Sequence, residues 1–170
     1  MKKVMIIMGS DSDLATMQNA CQVLDELQLP YEVHVSSAHR TPQRTAELAA
    51  GAAEAGFGVI IAGAGGAAHL AGVIAAETIL PVIAVPIKSG AVSGFDALLA
   101  SVQMPAGIPV ATVAIDGARN AGILAAQMLA LADSDLAGRL LAFKTSLRDG
   151  VLAKDAKLQQ LGVAGYLAQK

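Results

Sequence analysis

Val59-Ile60-Ile61-Ala62-Gly63-Ala64-Gly65-Gly66-Ala67-Ala68-His69-Leu70-Ala71-Gly72-Val73-Ile74-Ala75-Ala76 is the passage on which the fold turns. It is almost free of polar side chains and long enough to raise the question of a membrane span. Its internal pattern points elsewhere. A β-branched start gives way to clustered glycines, a central histidine and then an alanine-rich run. A buried strand, a glycine loop and a helix account for that order better than one continuous span.

The same rhythm extends in both directions. Strands are expected at Lys3–Met8, Tyr31–Val35, Gly58–Ala62, Val82–Val85 and Val110–Ala114, several of them near-continuous apolar runs that suit parallel strands covered on both faces. Helices are expected at Asp13–Leu27, from Thr41 and Pro42 (as N-cap and first-turn pair) to about Ala55, and at Ala68–Thr78, Gly94–Met104 and Ala118–Ala132. This alternation predicts a three-layer α/β/α sandwich with a parallel sheet in the flavodoxin-like order 2-1-3-4-5. Beyond Ser134 the strands stop. Leu136, Leu140, Phe143 and Leu147 keep helical spacing, and Val151, Leu158 and Leu161 extend it. The expected organisation is an α/β catalytic unit over 1–133 with a C-terminal helical arm over 134–170 of the same domain.

Composition narrows the function classes. At 170 residues the chain makes one domain of ordinary size. A net charge of −2, with 15% charged and 3% aromatic residues, offers neither the cationic stripe nor the stacking rings of a nucleic-acid surface. Met1–Met8 is too short for a signal-peptide core, which leads to the expectation of a cytoplasmic protein. The single cysteine, Cys21, lies in an apolar helical pattern and reads as a packing residue. With one cysteine and three separated histidines there is no recognisable zinc-ligand set. Alanine and glycine supply much of the apolar content, which favours close helix approach and burial against other subunits.

In an open sheet of order 2-1-3-4-5, ligands bind beyond the strand C-termini where the strand order reverses. Three unusual loops fall there. The first, Gly9-Ser10-Asp11-Ser12-Asp13, combines a sharp turn with helix-start N–H groups and hydroxyls that favour an anion. Asp13 suits a ribose diol, while ordinary helix capping by Ser12 or Asp11 accounts for the same residues. The second, Ser36-Ser37-Ala38-His39-Arg40-Thr41-Pro42, sets a guanidinium suited to phosphate beside an imidazole able to exchange a proton near neutral pH. The third, Ala62 to Leu70, brings backbone close to a ligand through repeated glycines. His69 either orients a substrate group or His39, or packs at a helix end. His34, within a strand, reads as structural.

At these loops the chain resembles class I N5-carboxyaminoimidazole ribonucleotide mutase, a bacterial family of purine biosynthesis. The resemblance runs from about Val4 to Leu131 and rests on Gly-Ser-x-Ser-Asp at 9–13, Ser-Ala-His-Arg-Thr-Pro at 37–42 and Ala-Gly-Ala-Gly-Gly-Ala-Ala-His-Leu at 62–70. Leu80-Pro81-Val82, Val85-Pro86, Ser101-Val102-Gln103-Met104-Pro105 and Gly107-Ile108-Pro109-Val110-Ala111-Thr112 match as well. It implies an isomerase that moves a carboxyl group from the exocyclic nitrogen to C4 of aminoimidazole ribonucleotide without ATP, metal or another cofactor. It further implies a homo-octamer with active sites near subunit contacts. By matching motif, His39 would be the acid/base residue, and Ser10, Asp13 and Arg40 would hold the ribonucleotide. Ser12, Ser37, Ala38, Gly65, His69 and Leu70 would complete the substrate pocket. Leu14 replaces the family's usual Trp, Ala71 its usual Pro, and the segment Ile115–Ala121 is shortened. The alternatives are a class II relative that carboxylates aminoimidazole ribonucleotide directly with CO2, and a non-catalytic nucleotide sensor. Class II members carry Lys-Gly after Ser-Ala-His, where this chain has Arg40-Thr41.

Overall fold

The computed structural model of the chain describes residues 1–169. Five parallel strands form one sheet in the order β2-β1-β3-β4-β5: β1 Lys3–Met8, β2 Tyr31–Val35, β3 Phe57–Gly65, β4 Val82–Ile87 and β5 Ala111–Thr112. Alternation along β1 builds both cores. Val4, Ile6 and Met8 point to one side, with Val59, Ile61, Ile83 and Val85. Met5 and Ile7 point to the other, with Ile60, Ala62, Val82 and Ala84. All five of those β1 residues are buried, as a strand covered on both faces requires.

Among the described residues there are six α-helices, α1 Leu14–Glu26, α2 Pro42–Gly51, α3 Leu70–Glu77, α4 Phe95–Val102, α5 Ala118–Ala130 and α6 Ser134–Leu167. Met17, Ala20 and Val23 of α1 join Ala121 and Ala125 of α5 over the first core. Ala49 of α2 joins Leu70 and Ile74 of α3 over the second. No helix among the described residues is long and apolar enough to cross a membrane, and the Val59–Ala76 passage divides into β3, a glycine loop and α3.

The boundaries differ from expectation where pairing overrides composition. β3 runs on to Gly65 because Gly63, Ala64 and Gly65 pair with Val85, Pro86 and Ile87. β5 shrinks to Ala111–Thr112, paired only with Ile83 and Ala84. α2 stops at Gly51, and turns carry the chain to Gly56, whose φ of 89° needs glycine. α3 starts at Leu70, after a tight turn in which Ala68 and His69 N–H groups bond to the Gly66 and Ala67 carbonyls at 2.8 Å.

The C-terminal arm is helical from its cap, where Asp133 accepts from Leu136 N–H at 3.0 Å. Leu136 and Leu140 are buried and Phe143 packs on the first core. Beyond them Leu147 and Val151 are 54% and 64% exposed, so the body of the chain covers only the first turns of the arm. The helix breaks at Gly162, with φ 66° and ψ 170°.

Small residues set the layer spacing. A Cβ at Gly122 of α5 would lie 2.5 Å from Val23 Cγ1 and 3.1 Å from the Ala20 carbonyl of α1. Alanine there gains up to about 1 kcal/mol of helix propensity but must push α1 off α5, and overpacking of this kind costs about 1–3 kcal/mol. We expect Gly122→Ala to lower unfolding free energy by up to about 2 kcal/mol, measured in urea; an increase would show that the helices separate freely.

Candidate active site

The site is assembled at the C-terminal ends of β2, β1, β3 and β4. After β1 the chain turns at Gly9 and caps itself. Ser10 Oγ accepts from Ser12 N–H at 3.3 Å and from Ser12 Oγ at 2.9 Å, while Ser10 N–H donates to Asp13 Oδ2 at 3.1 Å. The capping pair is therefore Ser10 with Asp13, not Ser12 or Asp11. Burial is the main influence on Asp13, raising its pKa above the usual value of 3.8; neighbouring Asp11 adds to the rise, and the Ser10 N–H and Arg40 oppose it.

After β2 a chain of hydroxyls fixes the second loop. Thr45, fully buried on α2, meets the buried Ser36 Oγ at 2.9 Å, and Ser36 Oγ lies 3.3 Å from Thr41 Oγ1. Thr41 Oγ1 accepts from Ser37 N–H and donates to the Ser37 carbonyl, both at 3.0 Å. Thr41 thus occupies the expected N-cap position, with Pro42 at the first helical position, but its hydroxyl closes the loop and bonds no helix N–H. Arg40 then bridges the two loops: Nη2 donates to the Gly9 carbonyl at 2.8 Å and Nε to Ser37 Oγ at 3.4 Å.

His39 meets His69 from the start of α3, with Nε2 of the first 2.9 Å from Nδ1 of the second and the rings edge-to-face at 82°. A single proton occupies that contact, so one ring donates and the other accepts.

These groups surround a cavity of about 440 Å³. Ser10, Ser12, Asp13, Ser37, Ala38, His39, Arg40, Gly65 and Leu70, all expected from the sequence, line it. His69 contacts His39 but is not among the lining residues. Gly9, Ala64, Gly66 and Ala67 complete the walls, and Ser89, two residues past β4, was missed by sequence reasoning. The strand-end rule that singled out three loops applies equally to the fourth. His34 lies in β2, 3.7 Å from Glu32, and takes no part. Cys21 is half-buried with its thiol pKa raised by burial, in keeping with a packing residue. No group of three or more His, Cys, Asp or Glu side chains among the described residues could hold a metal ion.

A flavodoxin-like sheet with a cation, hydroxyls, a carboxylate and an imidazole at its switch point defines a nucleotide-type site on a doubly wound α/β protein. The chain belongs to the AIR carboxylase family, whose sequence profile matches residues 3–150. A Mycobacterium tuberculosis protein named N5-carboxyaminoimidazole ribonucleotide mutase is 57% identical over 167 residues, spanning 98% of this chain and 95% of that protein. A Thermotoga maritima protein of the same name is 51% identical over 170 residues, 100% and 99% of the two chains. The crystal structure of Treponema denticola PurE superposes with a TM-score of 0.82 at 28% identity, covering 91% of this chain and 97% of that one.

The hydroxyl chain predicts a long-range effect of Thr45. Thr45→Val keeps the volume but removes a partner of buried Ser36, at a cost of about 1–3 kcal/mol. Urea unfolding should show that loss, with Thr45→Ser recovering most of it. Equal stabilities of the Val variant and the unaltered protein would remove the hydroxyl chain as a support of the loop.

Proposed function

We propose that the chain is an N5-carboxyaminoimidazole ribonucleotide mutase, giving 4-carboxy-5-aminoimidazole ribonucleotide in de novo purine (IMP) biosynthesis. The observation that carries this reading is identity of 51–57% with proteins of that name over nearly the full chain. The site supplies the roles. Arg40, the hydroxyls of Ser10, Ser12 and Ser37, and the N–H groups after β1 receive the phosphate. Asp13 accepts from the ribose hydroxyls. Ala38, Gly65 and Leu70 shape the space for the ring.

The carboxyl group moves in two steps. The N–C bond breaks, its electron pair stays on the exocyclic nitrogen, which takes up a proton from His39, and CO2 is freed. C4 then attacks the CO2, and the C4 proton leaves to His39. His69 orients the imaginary line of transfer only through His39, by fixing its ring. Small residues from Ala64 to Ala67 let backbone close on the substrate and keep water from the CO2. Presence of His39 in the cavity wall favours an enzyme over a nucleotide sensor, and Arg40-Thr41 in place of Lys-Gly favours the mutase over direct carboxylation.

A cytoplasmic homo-octamer is the assembly this reading carries. Phe95, Leu99 and Val102 form an exposed apolar stripe along α4, with exposed Val92 just before it, which a second copy would cover together with the outer half of the arm.

Two measurements test the reading. Given N5-carboxyaminoimidazole ribonucleotide without ATP, the protein should convert it rapidly; efficient use only of aminoimidazole ribonucleotide with bicarbonate would establish the direct carboxylase instead. His39→Asn should bind ligand yet lose turnover by about 10²-fold or more, and near-normal turnover would end its assignment. Asp13 sets an acid limit. Its carboxylate accepts the diol only when ionised, so titration calorimetry with aminoimidazole ribonucleotide should show affinity falling as pH drops through its raised pKa, earlier than for a carboxyl at 3.8. Asp13→Asn should bind about tenfold or more weakly at pH 7 and lack that component of the acid limb.

A further inference from the structure

The cavity crosses the ends of β2, β1, β3 and β4 in that order, three inter-strand steps or about 14 Å. Its chemistry is polarised along this line. The β2–β1 end holds the guanidinium of Arg40 and the carboxylate of Asp13. The β3–β4 end is lined by Ala64, Gly65, Gly66, Ala67 and Leu70, with Ser89 the one hydrogen-bonding side chain among the described residues there.

The position of Ser89 is built. A Cβ at Gly65 would lie 2.7 Å from Ser89 Oγ and 3.0 Å from the Ile87 carbonyl, so the hydroxyl occupies the space that glycine leaves above the end of β3. The preceding residue is pinned as well. Lys88 N–H donates to Asp116 Oδ1 at 2.9 Å, and Asp116 N–H donates to the Pro86 carbonyl at 2.8 Å.

We propose that the Ser89 hydroxyl binds the migrating carboxyl group and then holds the freed CO2 beside C4. This rests on the mutase reading. With the phosphate at Arg40 and the ribose at Asp13, the ring extends toward His39 and its carboxyl falls at the far end, where Ser89 is the side-chain donor. The serine donates a hydrogen bond to a carboxyl oxygen and neither gains nor loses a proton overall. The carboxyl carbon is released from nitrogen, which takes a proton from His39, and is captured by C4, whose proton returns to His39, so the reaction remains a balanced isomerisation. Ser89 acts on the retention of CO2, a role distinct from phosphate binding and from proton transfer.

The experiment compares full-length protein with Ser89→Ala. N5-carboxyaminoimidazole ribonucleotide is supplied, and both 4-carboxy product and free aminoimidazole ribonucleotide are quantified, alongside the affinity for aminoimidazole ribonucleotide. The variant should lose at least tenfold in kcat for carboxyl transfer and release a larger share of its substrate as the decarboxylated nucleotide. Its affinity for that nucleotide, which has no carboxyl, should stay within about twofold, which also reports an intact fold. Unchanged kcat and partition would overturn the role of Ser89 while leaving the mutase reading standing. A parallel loss of affinity for the carboxyl-free nucleotide would also overturn it, by placing Ser89 elsewhere on the ligand. No turnover by the unaltered protein would overturn the mutase reading and this inference together.

Discussion

The pairing of β1 with both β2 and β3 is the constraint from which the site follows. β1 is buried on both faces, and its register places Met8 opposite Val35 on one side and Gly63 on the other. Chains leaving those strands must cross to opposite faces of the sheet, because right-handed crossovers put α1 on one face and α2 and α3 on the other. The loops part at that point, and the space between them becomes the cavity. The N–H groups of helix starts and the side chains of residues 9–13 and 37–40 necessarily converge there. No separate device is needed to bring His39 and Ser10 together.

Convergence alone leaves loops mobile, and the polar contacts explain why these are held. Thr45, Ser36 and Thr41 tie the second loop to the buried side of α2, and Arg40 ties it to the Gly9 carbonyl of the first. Asp13 serves two ends at once. It completes the cap of its own turn and faces the cavity, where burial disfavours its charge. A carboxylate held in this way is already ordered and partly desolvated before any ligand arrives, which reduces what a contact to it must spend on arranging it.

Much of this was legible from residue order, and the parts that were not share a cause. β1 and β2 begin and end where the sequence pattern places them, at Lys3–Met8 and Tyr31–Val35. β3 and β4 run past their β-branched segments, since Gly63–Gly65 and Pro86–Ile87 join the ladder by pairing with each other. Single-residue propensity opposes that extension; tertiary pairing decides it. The loop containing Ser37, His39 and Arg40 was readable because its residue types are rare together and lie at a strand end. The His39–His69 contact spans thirty positions, and the hydroxyl chain through Thr45 depends on one helical turn facing one strand end. Neither leaves a periodic trace. Ser89 is a single serine in a short loop, and only the order of strands gives it a place.

The abundance of glycine and alanine carries more meaning in the structure than in the composition. Small side chains bury little area each, and on that account they weaken a core. Along β3 they do something else. Gly63 leaves the space taken by the Met17 side chain from α1, while Gly65 leaves the space taken by Ser89 from the loop after β4. Gly66, with φ 59°, then turns the chain toward His69. One strand end thus seats a helix and a cavity-lining serine by omitting side chains at neighbouring positions. The cavity wall there is backbone, whose position is set by the sheet and not by rotamers. A site that must keep a small, uncharged molecule beside one carbon atom depends on such a wall, because a flexible side chain at Gly65 or Gly66 would close the space or admit water with each change of rotamer.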